Sequence, residues 1–311
     1  MAYPQASQDP LFTAPVYREF ENFVCERQKR FEFRRHAGKN GLLLSSDPIL
    51  DTRKFTNAYR ILDRVTQYEI ANVIDGKFIT PLAHAVAIFI FRTLNSIHTY
   101  ASIHKQLLYN AHASRRKIFE RLRTLQASGV PIFGNAYLMP SGHTEGYTKR
   151  LDFFEAMLEG LLMSGQLQRM YVENDIRRLY GMFREVKGMG DFLAYQYALD
   201  FSYRHSGVDY DSFVVPGVGC VRGMKKTFPG LSVKQFGLVL SEITYRGITG
   251  FEPLEVGGKV FPLRGNDIQN CFCEWDKYTR VRDGEGRMKA RFDHPARPLD
   301  FEVVVPKAWR V

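Results

Sequence analysis

Cysteine is scarce in this sequence of 311 residues, and the few cysteines present do not suggest a metal site. The four cysteines form no Cys-x-x-Cys pair and no cysteine–histidine set with the spacing of a zinc or iron–sulfur site: Cys25, Cys220, Cys271 and Cys273. We therefore predict reduced, partly buried thiols, with no bound metal and no cofactor.

Long apolar runs are also missing. The longest stretch, Pro81 to Phe91, is interrupted by His84 and stops at Arg92, whereas a membrane-spanning helix needs ~20 apolar residues. The first ten residues contain neither a basic start nor an apolar segment of the kind found in signal peptides. The sequence thus predicts an intracellular protein with no membrane partner.

Acidic residues are outnumbered by basic ones. Lys and Arg total 43 against 33 Asp and Glu, which gives a formal charge of +10. Hydrophobic residues make up 45% of the chain, which excludes a disordered protein. Because clustered cations gain affinity by releasing counterions from phosphates, the excess of positive charge favours a polyanionic partner such as DNA.

Apolar periodicity predicts a chain made mostly of α-helices. A flexible arm is expected over residues 1–15, and the remainder, residues 16–311, is expected to form a single domain with a small irregular or β-like C-terminal extension. The predicted helices are Val16–Arg35, Phe55–Ile74, Leu82–Leu94, Ser96–Tyr109, Ser114–Ser128, Lys149–Met163, Gln166–Met182, Val233–Tyr245 and Asn266–Tyr278. A strand is predicted over Phe301–Val305.

The segment Val186–Ala194 has the pattern of a helix-hairpin-helix turn. A hydrophobic residue precedes Gly188-Met189-Gly190, and Ala194 follows four residues later. The glycines allow the backbone to approach a phosphate, and amides at the start of the second helix can point at that phosphate. Lys187, Gly188 and Gly190 are therefore candidate DNA-binding residues, in a motif region of about 182–228. A plain helix-to-helix turn with glycine caps is the alternative.

This hairpin resembles that of the helix-hairpin-helix DNA glycosylases, in which an aspartate faces the flipped nucleotide. Asp211 is the aligned candidate, and Asp209 is the backup if one gap is misplaced. No lysine stands near Phe192, where bifunctional members carry their nucleophile, and the four-cysteine cluster of some members is missing. The resemblance disfavours a Schiff-base lyase and leaves a monofunctional glycosylase as an alternative.

A second glycine turn, Gly217-Val218-Gly219, is followed by Arg222 and by Lys225 and Lys226. Exposed amides next to three cations suit a phosphate or diphosphate. The Gly-Lys-Ser/Thr sequence of a P-loop kinase does not follow. A turn beside a solvated basic helix is the alternative.

A polar stripe is predicted on the helix Phe55–Ile74. Asn57, Arg60, Arg64 and Gln67 lie at helical spacing on an otherwise apolar segment. Buried arginines must meet acids or an anionic ligand, because an unpaired buried charge is costly. Asp63 is expected to pair with Arg60, and an internal salt-bridge network is the structural alternative.

Five ordered motifs together resemble one family. They are Ser46–Leu50, Phe55–Gln67, Gly190–Asp200, Phe213–Gly219 and Asn270–Tyr278. The family is that of the α-glutamyl/putrescinyl thymine pyrophosphorylases, amino acid:DNA transferases of phage thymine hypermodification, which is close to the helical domain found with 5-hydroxymethyluracil DNA kinases. Cys220 and Val221 depart from its pattern, which has a small residue followed by a basic one.

The resemblance implies that an amine, either an amino acid or a polyamine, displaces pyrophosphate from 5-hydroxymethyluracil diphosphate in double-stranded DNA. For this reaction we expect catalytic roles for Asp211, the candidate from the glycosylase-like hairpin, and for Arg60, Arg64 and Asp63, the candidates from the polar stripe. Substrate-binding roles are implied for Asn57, Gln67, Asp200, Lys225, Lys226 and Asn270. DNA-binding roles extend to Gly217, Gly219 and Arg222. The other functions that stay open are a monofunctional glycosylase and a non-catalytic DNA-binding partner of a 5-hydroxymethyluracil DNA kinase.

Overall fold

The computed structural model of the protein describes residues 10–36, 47–108, 111–136, 139–286, 288, 291 and 299–311. The described part is mostly helical, as predicted. Its α-helices are α1 (Pro10–Thr13), α2 (Pro15–His36), α3 (Pro48–Thr52), α4 (Arg64–Glu69), α5 (Pro81–Leu94), α6 (Ile97–Leu107), α7 (Ala111–Ala127), α8 (Arg150–Met163), α9 (Gln166–Val172), α10 (Ile176–Arg184), α11 (Asp191–Ser202), α12 (Val218–Thr227), α13 (Phe236–Arg246) and α14 (Gly265–Arg282). Strands β1 (Leu254–Val256) and β2 (Lys259–Phe261) form an antiparallel hairpin.

Two compact units divide the chain. The first combines the residues up to Asp63 with Tyr210–Val303, and the second combines Arg64–Asp209 with Val304–Val311. The arm predicted over residues 1–15 lies partly outside the described residues, and its remainder forms α1 and the first residue of α2. The expectation that residues 16–311 act as one domain stays a prediction.

Aromatic packing builds the core of the first unit. Phe20 of α2 stacks on Phe272 of α14, with 3.9 Å between the ring centroids, and Trp275 is fully buried beside them. Helix α12 lies directly against α14, because a Cβ at Gly223 would collide with the carbonyl of Phe272. This close packing fixes α14, the helix that carries four of the polar residues described below.

Tyr59 connects the β-hairpin to the chain just before a short 3₁₀ helix, Arg60–Leu62. Its hydroxyl donates to the Phe261 carbonyl at 2.7 Å and accepts from the Leu254 amide at 2.9 Å. Since Leu254 and Phe261 face each other across the two strands, one buried hydroxyl holds both strand ends. The hairpin thereby fixes the backbone on either side of Tyr59.

Helix α5 is the buried centre of the second unit. Thr80 caps its start, and Asn95 ends it in the left-handed conformation at φ 44°. Arg92 is fully buried within this helix and forms ion pairs with Glu69 at 2.8 Å and with Asp200. Removing one partner would leave a buried charge, so we assign this cluster a structural role.

The predicted helix Phe55–Ile74 is wrong. The backbone is extended at Tyr59 and Asp63, with a 3₁₀ helix over Arg60–Leu62 between them, followed by α4 and a π-helix over Ile70–Ile74. Contacts with distant residues, such as those of Tyr59, replace the hydrogen bonds of a regular helix. Asn57, Arg60, Arg64 and Gln67 therefore do not form one helical stripe.

Two further expectations are corrected. The helix predicted over Gln166–Met182 is divided into α9 and α10, because the Asp175 side chain accepts hydrogen bonds from the amides of Arg177 and Arg178 and starts a new helix. Residues 301–305 form no strand, and the only regular element among described residues 299–311 is a 3₁₀ turn, Lys307–Trp309. No helix in the described ranges is long and apolar enough to cross a membrane.

Candidate functional site

Polar side chains on one face of α14 meet the irregular segment Thr56–Asp63 within the first unit. Asp267, Asn270 and Glu274 follow the i, i+3, i+7 spacing of a single helix face. We call these three residues, together with Thr56, Asn57, Arg60, Asp63, Arg27 and Lys277, the polar cluster. Two of the motifs quoted from the sequence, Phe55–Gln67 and Asn270–Tyr278, contribute to it.

Asn270 and Glu274 bind the start of the irregular segment. The Asn270 amide donates to the Thr56 hydroxyl at 3.1 Å and to the Asn57 carbonyl at 3.3 Å. Glu274 accepts from the Thr56 amide at 3.3 Å and from Lys277 at 2.5 Å. These bonds explain the extended backbone here, because α14 supplies the partners that a helix would have supplied internally.

Asn57 holds the end of the same segment. Its side chain donates to the Leu62 carbonyl at 2.8 Å and to the Asp63 carboxylate at 3.4 Å, and its backbone amide donates to Asp63 at 3.2 Å. The segment Asn57–Asp63 is thus a closed loop in which the carboxylate of Asp63 faces the Asn57 amides.

Arg60 lies at the centre of this loop and is only 2% exposed. Its backbone amide donates to Asp267 at 2.7 Å, and the other oxygen of Asp267 accepts from the Arg264 amide at 3.0 Å. The expected pairing of Arg60 with Asp63 has electrostatic support, because the Arg60 charge lowers the pKa of that carboxyl, though by less than burial raises it.

Burial dominates the electrostatics of the cluster. Desolvation raises the pKa of Asp63 to about 6, although the amide of Asn57 opposes the shift. Desolvation also raises the pKa of Asp267 to about 6, against the amides of Arg264 and Arg60. Such carboxylates are stronger bases than exposed ones and titrate closer to neutral pH, which is where a general base works best.

Part of the cluster faces solvent. Thr56, Asn57, Asp63, Asn270 and Lys277 are partly exposed, whereas Arg60, Asp267 and Glu274 are buried. The exposed members supply a carboxylate, two amides, a hydroxyl and an ammonium group. This open side can therefore form hydrogen bonds with a polar ligand beside a carboxylate base.

Arg27 of α2 belongs to the cluster but was missed in the sequence. It is 5% exposed and donates from Nη2 to the carbonyls of Thr56 and Asn57, the latter at 2.8 Å. Its Nη1 atom is buried and has no hydrogen-bond partner among the described residues. The helix α2 carries a basic run but no motif, so only the folded chain reveals which of its arginines turns inward.

Asp211, the predicted catalytic aspartate, lies at the start of α14. It accepts from the Gly265 amide at 3.0 Å and from Arg264 Nη1 at 2.9 Å, and it is about one-third exposed. The carboxylate therefore caps α14 and compensates Arg264. The backup, Asp209, belongs to the second unit.

The cations of α12 have acidic partners on or after α14. Arg222 binds Asp276 with Nε and Nη2, at 2.9 and 2.8 Å. Lys226 binds the Thr279 hydroxyl at 3.1 Å and Glu285 at 2.8 Å. Lys225 is exposed, and so is Arg222 in spite of its ion pair, whereas Lys226 is partly buried.

The glycines before α12 have a packing function. A Cβ at Gly219 would lie 2.5 Å from the sulfur of Cys273, so glycine is required for α12 to reach α14. Gly217 is the buried N-cap of α12, and Val218 between the two is 74% exposed. Their predicted role in holding phosphate stays a proposal.

The second unit contains the predicted hairpin, between α10 and α11. Gly188 has φ +80°, and a Cβ there would lie 2.6 Å from the ring of Phe153. Gly190 caps α11 and has open space where a Cβ would be. Lys187 is 80% exposed and pairs with Glu145 at 2.7 Å. The hairpin thus has a locally required glycine followed by an exposed one.

Three other predicted site residues also lie in the second unit. Asp200 is bound to the buried Arg92. The Gln67 amide exchanges two hydrogen bonds with the backbone of Val304, at 2.8 and 2.7 Å, so it secures the C-terminal segment. Arg64 is exposed at the start of α4. Among the described residues, no group of three or more His, Cys, Asp or Glu side chains could hold a metal ion.

Comparison with known proteins gives one family and one relative. The family described as "5-hmdU DNA kinase, helical domain" matches residues 14–288. A curated 5-hmdU DNA kinase of Bacillus phage SP10 is 24% identical over 262 residues, which cover 75% of this chain and 40% of the relative. The chain thus spans less than half the length of that relative. No solved structure matches significantly, and the glycosylase-like arrangement of helices stays a prediction.

Proposed function

This chain belongs to the family of 5-hmdU DNA kinase helical domains, and from that premise we propose that it acts in the hypermodification of thymine in phage DNA. The comparisons support the relation to the 5-hmdU DNA kinase helical domain. The resemblance to the thymine pyrophosphorylases is used only to propose a specific reaction. That reaction is displacement of pyrophosphate from 5-hydroxymethyluracil diphosphate in DNA by an amine. The observation that carries it is the polar cluster, in which two of the motifs meet around basic carboxylates.

The reaction needs a base and positive charge. The amine nitrogen forms a bond to the 5-methylene carbon, the bond from that carbon to the diphosphate oxygen breaks, and pyrophosphate leaves with the electron pair. Asp63, whose pKa is raised to about 6, accepts the proton that the amine loses. Arg60 and Lys277 stabilise the charge on the departing diphosphate.

The remaining residues bind the substrate in this proposal. Asn57 lies beside Asp63, and Asn270 lies beside Thr56. Both asparagines are partly exposed and hold the base edge by hydrogen bonds. Asp211 faces the flipped nucleotide while it caps α14. Gly190 of the hairpin and Lys225 of α12 contact DNA phosphates, as backbone amides at helix starts and exposed lysines commonly do.

Product analysis tests the reaction. The protein is incubated with double-stranded DNA carrying the diphosphorylated base, an amine panel and, in parallel, unmodified DNA. We expect pyrophosphate release in step with amine incorporation, measured by mass, and DNA that resists alkaline cleavage. Abasic sites that accumulate without pyrophosphate would refute the transferase and favour a monofunctional glycosylase. Inactive protein that binds DNA tightly would favour a non-catalytic partner of a kinase.

Arg60 provides the sharpest variant. If its charge stabilises the leaving group, Arg60→Ala lowers turnover by about 100-fold while affinity for unmodified DNA is unchanged. Glu242→Gln, on the surface of α13, is the matched control and retains activity. If Arg60 only supports the loop around it, the variant melts at a lower temperature with normal turnover per folded molecule, and that result removes Arg60 from the chemistry.

A further inference from the structure

Arg27 of α2 binds two successive peptide groups of the polar cluster, and the proposed reaction gives this arginine no role. The Thr56 carbonyl accepts hydrogen bonds from Nε, at 3.0 Å, and from Nη2, and the Asn57 carbonyl accepts one from Nη2 at 2.8 Å. A guanidinium presents its N–H groups as a planar fork, so several bonds to one such group fix its partners in direction as well as in distance. Arg27 therefore sets the orientation of both carbonyls.

The guanidinium of Arg27 is itself held in place. The side chain belongs to a residue that is only 5% exposed, and its Cζ atom lies 5.0 Å from the centroid of the Phe23 ring. A cation over an aromatic ring gains more when water is excluded, and a buried charge is costly unless it is hydrogen-bonded. The ring and the two carbonyls thus keep a fixed positive charge next to the polar cluster.

The peptide group between Thr56 and Asn57 connects Arg27 to Asp63. The Thr56 carbonyl and the Asn57 N–H are the two ends of this single planar group, and they point in opposite directions. Arg27 binds the carbonyl end, and Asp63 accepts from the N–H end at 3.2 Å. The Asn57 side chain donates to the same carboxylate at 3.4 Å. An arginine that fixes the carbonyl therefore also fixes the N–H group that Asp63 accepts.

Charged groups from three parts of the first unit act on the Asp63 carboxyl. Burial has the largest effect and raises its pKa to about 6. The negative charge of Glu274 on α14 raises this pKa further, although Glu274 has its own cation, Lys277, at 2.5 Å. The positive charges of Arg27 and Arg60 lower it. Loss of Arg27 would leave the buried carboxylate with one opposing cation fewer.

We infer that Arg27 is the positioning residue of the polar cluster: it holds the Thr56–Asn57 peptide with its N–H on Asp63 and keeps that carboxylate available to accept a proton. The inference rests on the proposed function in one respect, namely that Asp63 is the base of the reaction. Arg27 acts through the peptide and through its charge. Lysine has no planar fork and glutamine has no charge, so neither can replace arginine in both respects.

Two substitutions separate the charge of Arg27 from its hydrogen bonds. Arg27→Gln keeps an N–H donor but removes the charge, whereas Arg27→Lys keeps the charge but removes the fork. Arg30→Gln is the matched control. Arg30 lies one turn later on α2, its side chain is 11% exposed, and it pairs with Asp51 at 2.6 Å, outside the polar cluster. The control therefore reports the loss of a largely buried α2 arginine that has no contact with Thr56 or Asn57 in the proposal.

The titration of Asp63 can be measured without DNA, by urea unfolding of each protein with and without Asp63→Asn from about pH 4 to about pH 8. The folded pKa of Asp63, about 6, lies above its unfolded value of 3.8, so its contribution to stability is lost as the pH rises through the folded value. In Arg27→Gln we expect this loss to extend upward by about one pH unit. Arg27→Lys and Arg30→Gln should titrate as wild type does. An unmoved titration in folded Arg27→Gln, or an equal shift in Arg27→Lys, overturns the inference.

Hydrogen exchange of the Asn57 amide tests the orientation of the peptide, and it needs only folded protein. In Arg27→Lys the Thr56 carbonyl loses the fork, so the Asn57 N–H is held less well on Asp63. We expect this amide to exchange about tenfold faster than in wild type, and to exchange at the wild-type rate in Arg30→Gln. Equal protection of the Asn57 amide in wild type and Arg27→Lys overturns the positioning role, even if Arg27→Gln does not fold.

Pyrophosphate release from diphosphorylated DNA separates this inference from the proposed reaction. In Arg27→Gln we expect the rising limb of the pH profile to move up by about one unit. In Arg27→Lys we expect the limb to stay in place and the plateau rate to fall about tenfold. If no protein releases pyrophosphate while the titration and exchange results are as expected, the role of Arg27 stands and the proposed reaction fails. If wild type and the folded Arg27 variants release it with one rate and one pH profile, the reaction stands and the inference fails.

Discussion

The carboxylate of Asp211 accepts a hydrogen bond from the backbone amide of Gly265, at 3.0 Å, on the first residue of α14. A cap of this kind satisfies an amide that the helix itself leaves without a partner. The same carboxylate binds Arg264 at 2.9 Å. Asp211 therefore has a structural function in addition to the proposed contact with the nucleotide, and substitutions must separate the two.

We expect Asp211→Ala to lower the free energy of unfolding by about 1–2 kcal/mol, because the cap is lost. Asp211→Asn keeps an acceptor oxygen for Gly265, so it should retain most of the stability and bind DNA normally while releasing pyrophosphate more slowly. Urea unfolding and a pyrophosphate assay measure the two effects. Wild-type turnover in folded Asp211→Asn protein would limit Asp211 to capping.

Substitutions at the two hairpin glycines should have different effects on folding and on DNA binding. Gly190 has φ −79° and open space at its Cβ position, so Gly190→Val should fold. A side chain there blocks the approach of the backbone to a phosphate, and DNA affinity should fall equally for all sequences, with a shallower dependence on salt. Unchanged affinity would contradict the hairpin assignment.

Gly188→Val is the contrasting variant at the same turn. Its φ of +80° disfavours any β-branched residue, and the new Cβ would lie 2.6 Å from the Phe153 ring. We therefore expect Gly188→Val to lower the melting temperature, whereas Gly190→Val leaves it near that of the wild type. Circular dichroism melts of the two proteins make this comparison.

Apolar periodicity was enough to predict several of the regular helices. The bounds of α2, α5 and α14 differ from the predicted ones by at most a few residues, because each has a continuous apolar face and no internal proline. Periodicity could not predict the segment Phe55–Asp63, since its backbone is held by α14 and by the β-hairpin, about 200 positions away along the chain. The local sequence does not indicate such distant hydrogen-bond partners.

The residues of the candidate site were likewise only partly predictable from the sequence. Asn57, Arg60, Asp63 and Asn270 come from two of the sequence motifs, and the folded chain brings them into one cluster; their roles in a site stay a prediction. Gln67 and Asp200 were placed with them, but their side chains bind Val304 and Arg92 in the second unit. The motifs do not distinguish the residues that form the polar cluster from those that stabilise the fold.

The carboxyl of Asp63 should make stability depend on pH. Its pKa is near 3.8 when unfolded and about 6 when folded, because burial disfavours the charged form. The folded state then binds the proton more tightly, so this group contributes stability below pH 4 that is lost as the pH rises through 6. Asp63→Asn removes the titrating group but keeps an acceptor for the Asn57 amide.

The measurement is urea unfolding of Asp63→Asn and wild type at several values between pH 4 and pH 7. We expect the variant to gain stability relative to wild type as the pH rises across this interval. Asp152→Asn serves as control for the loss of one carboxylate outside the polar cluster, since Asp152 is a partly exposed partner of Arg123. A constant difference for Asp63→Asn across this interval would mean that the surroundings of Asp63 do not raise its pKa.

Gly219 and Cys273 provide a test of the turn before α12. In Gly219→Ala the new Cβ would lie 2.5 Å from the Cys273 sulfur but 3.5 Å from its Cβ, which is an ordinary contact. We expect Gly219→Ala to cost about 1–3 kcal/mol in unfolding free energy, and Cys273→Ala to restore much of that loss in the double variant. An additive double variant would show that the crowding lies elsewhere.

Because the restored protein is folded but carries a methyl group on the turn, its affinity for diphosphorylated DNA reports on the turn itself. Weaker binding than that of Cys273→Ala alone supports a phosphate contact at Gly219, and equal binding leaves Gly219 with packing as its only function.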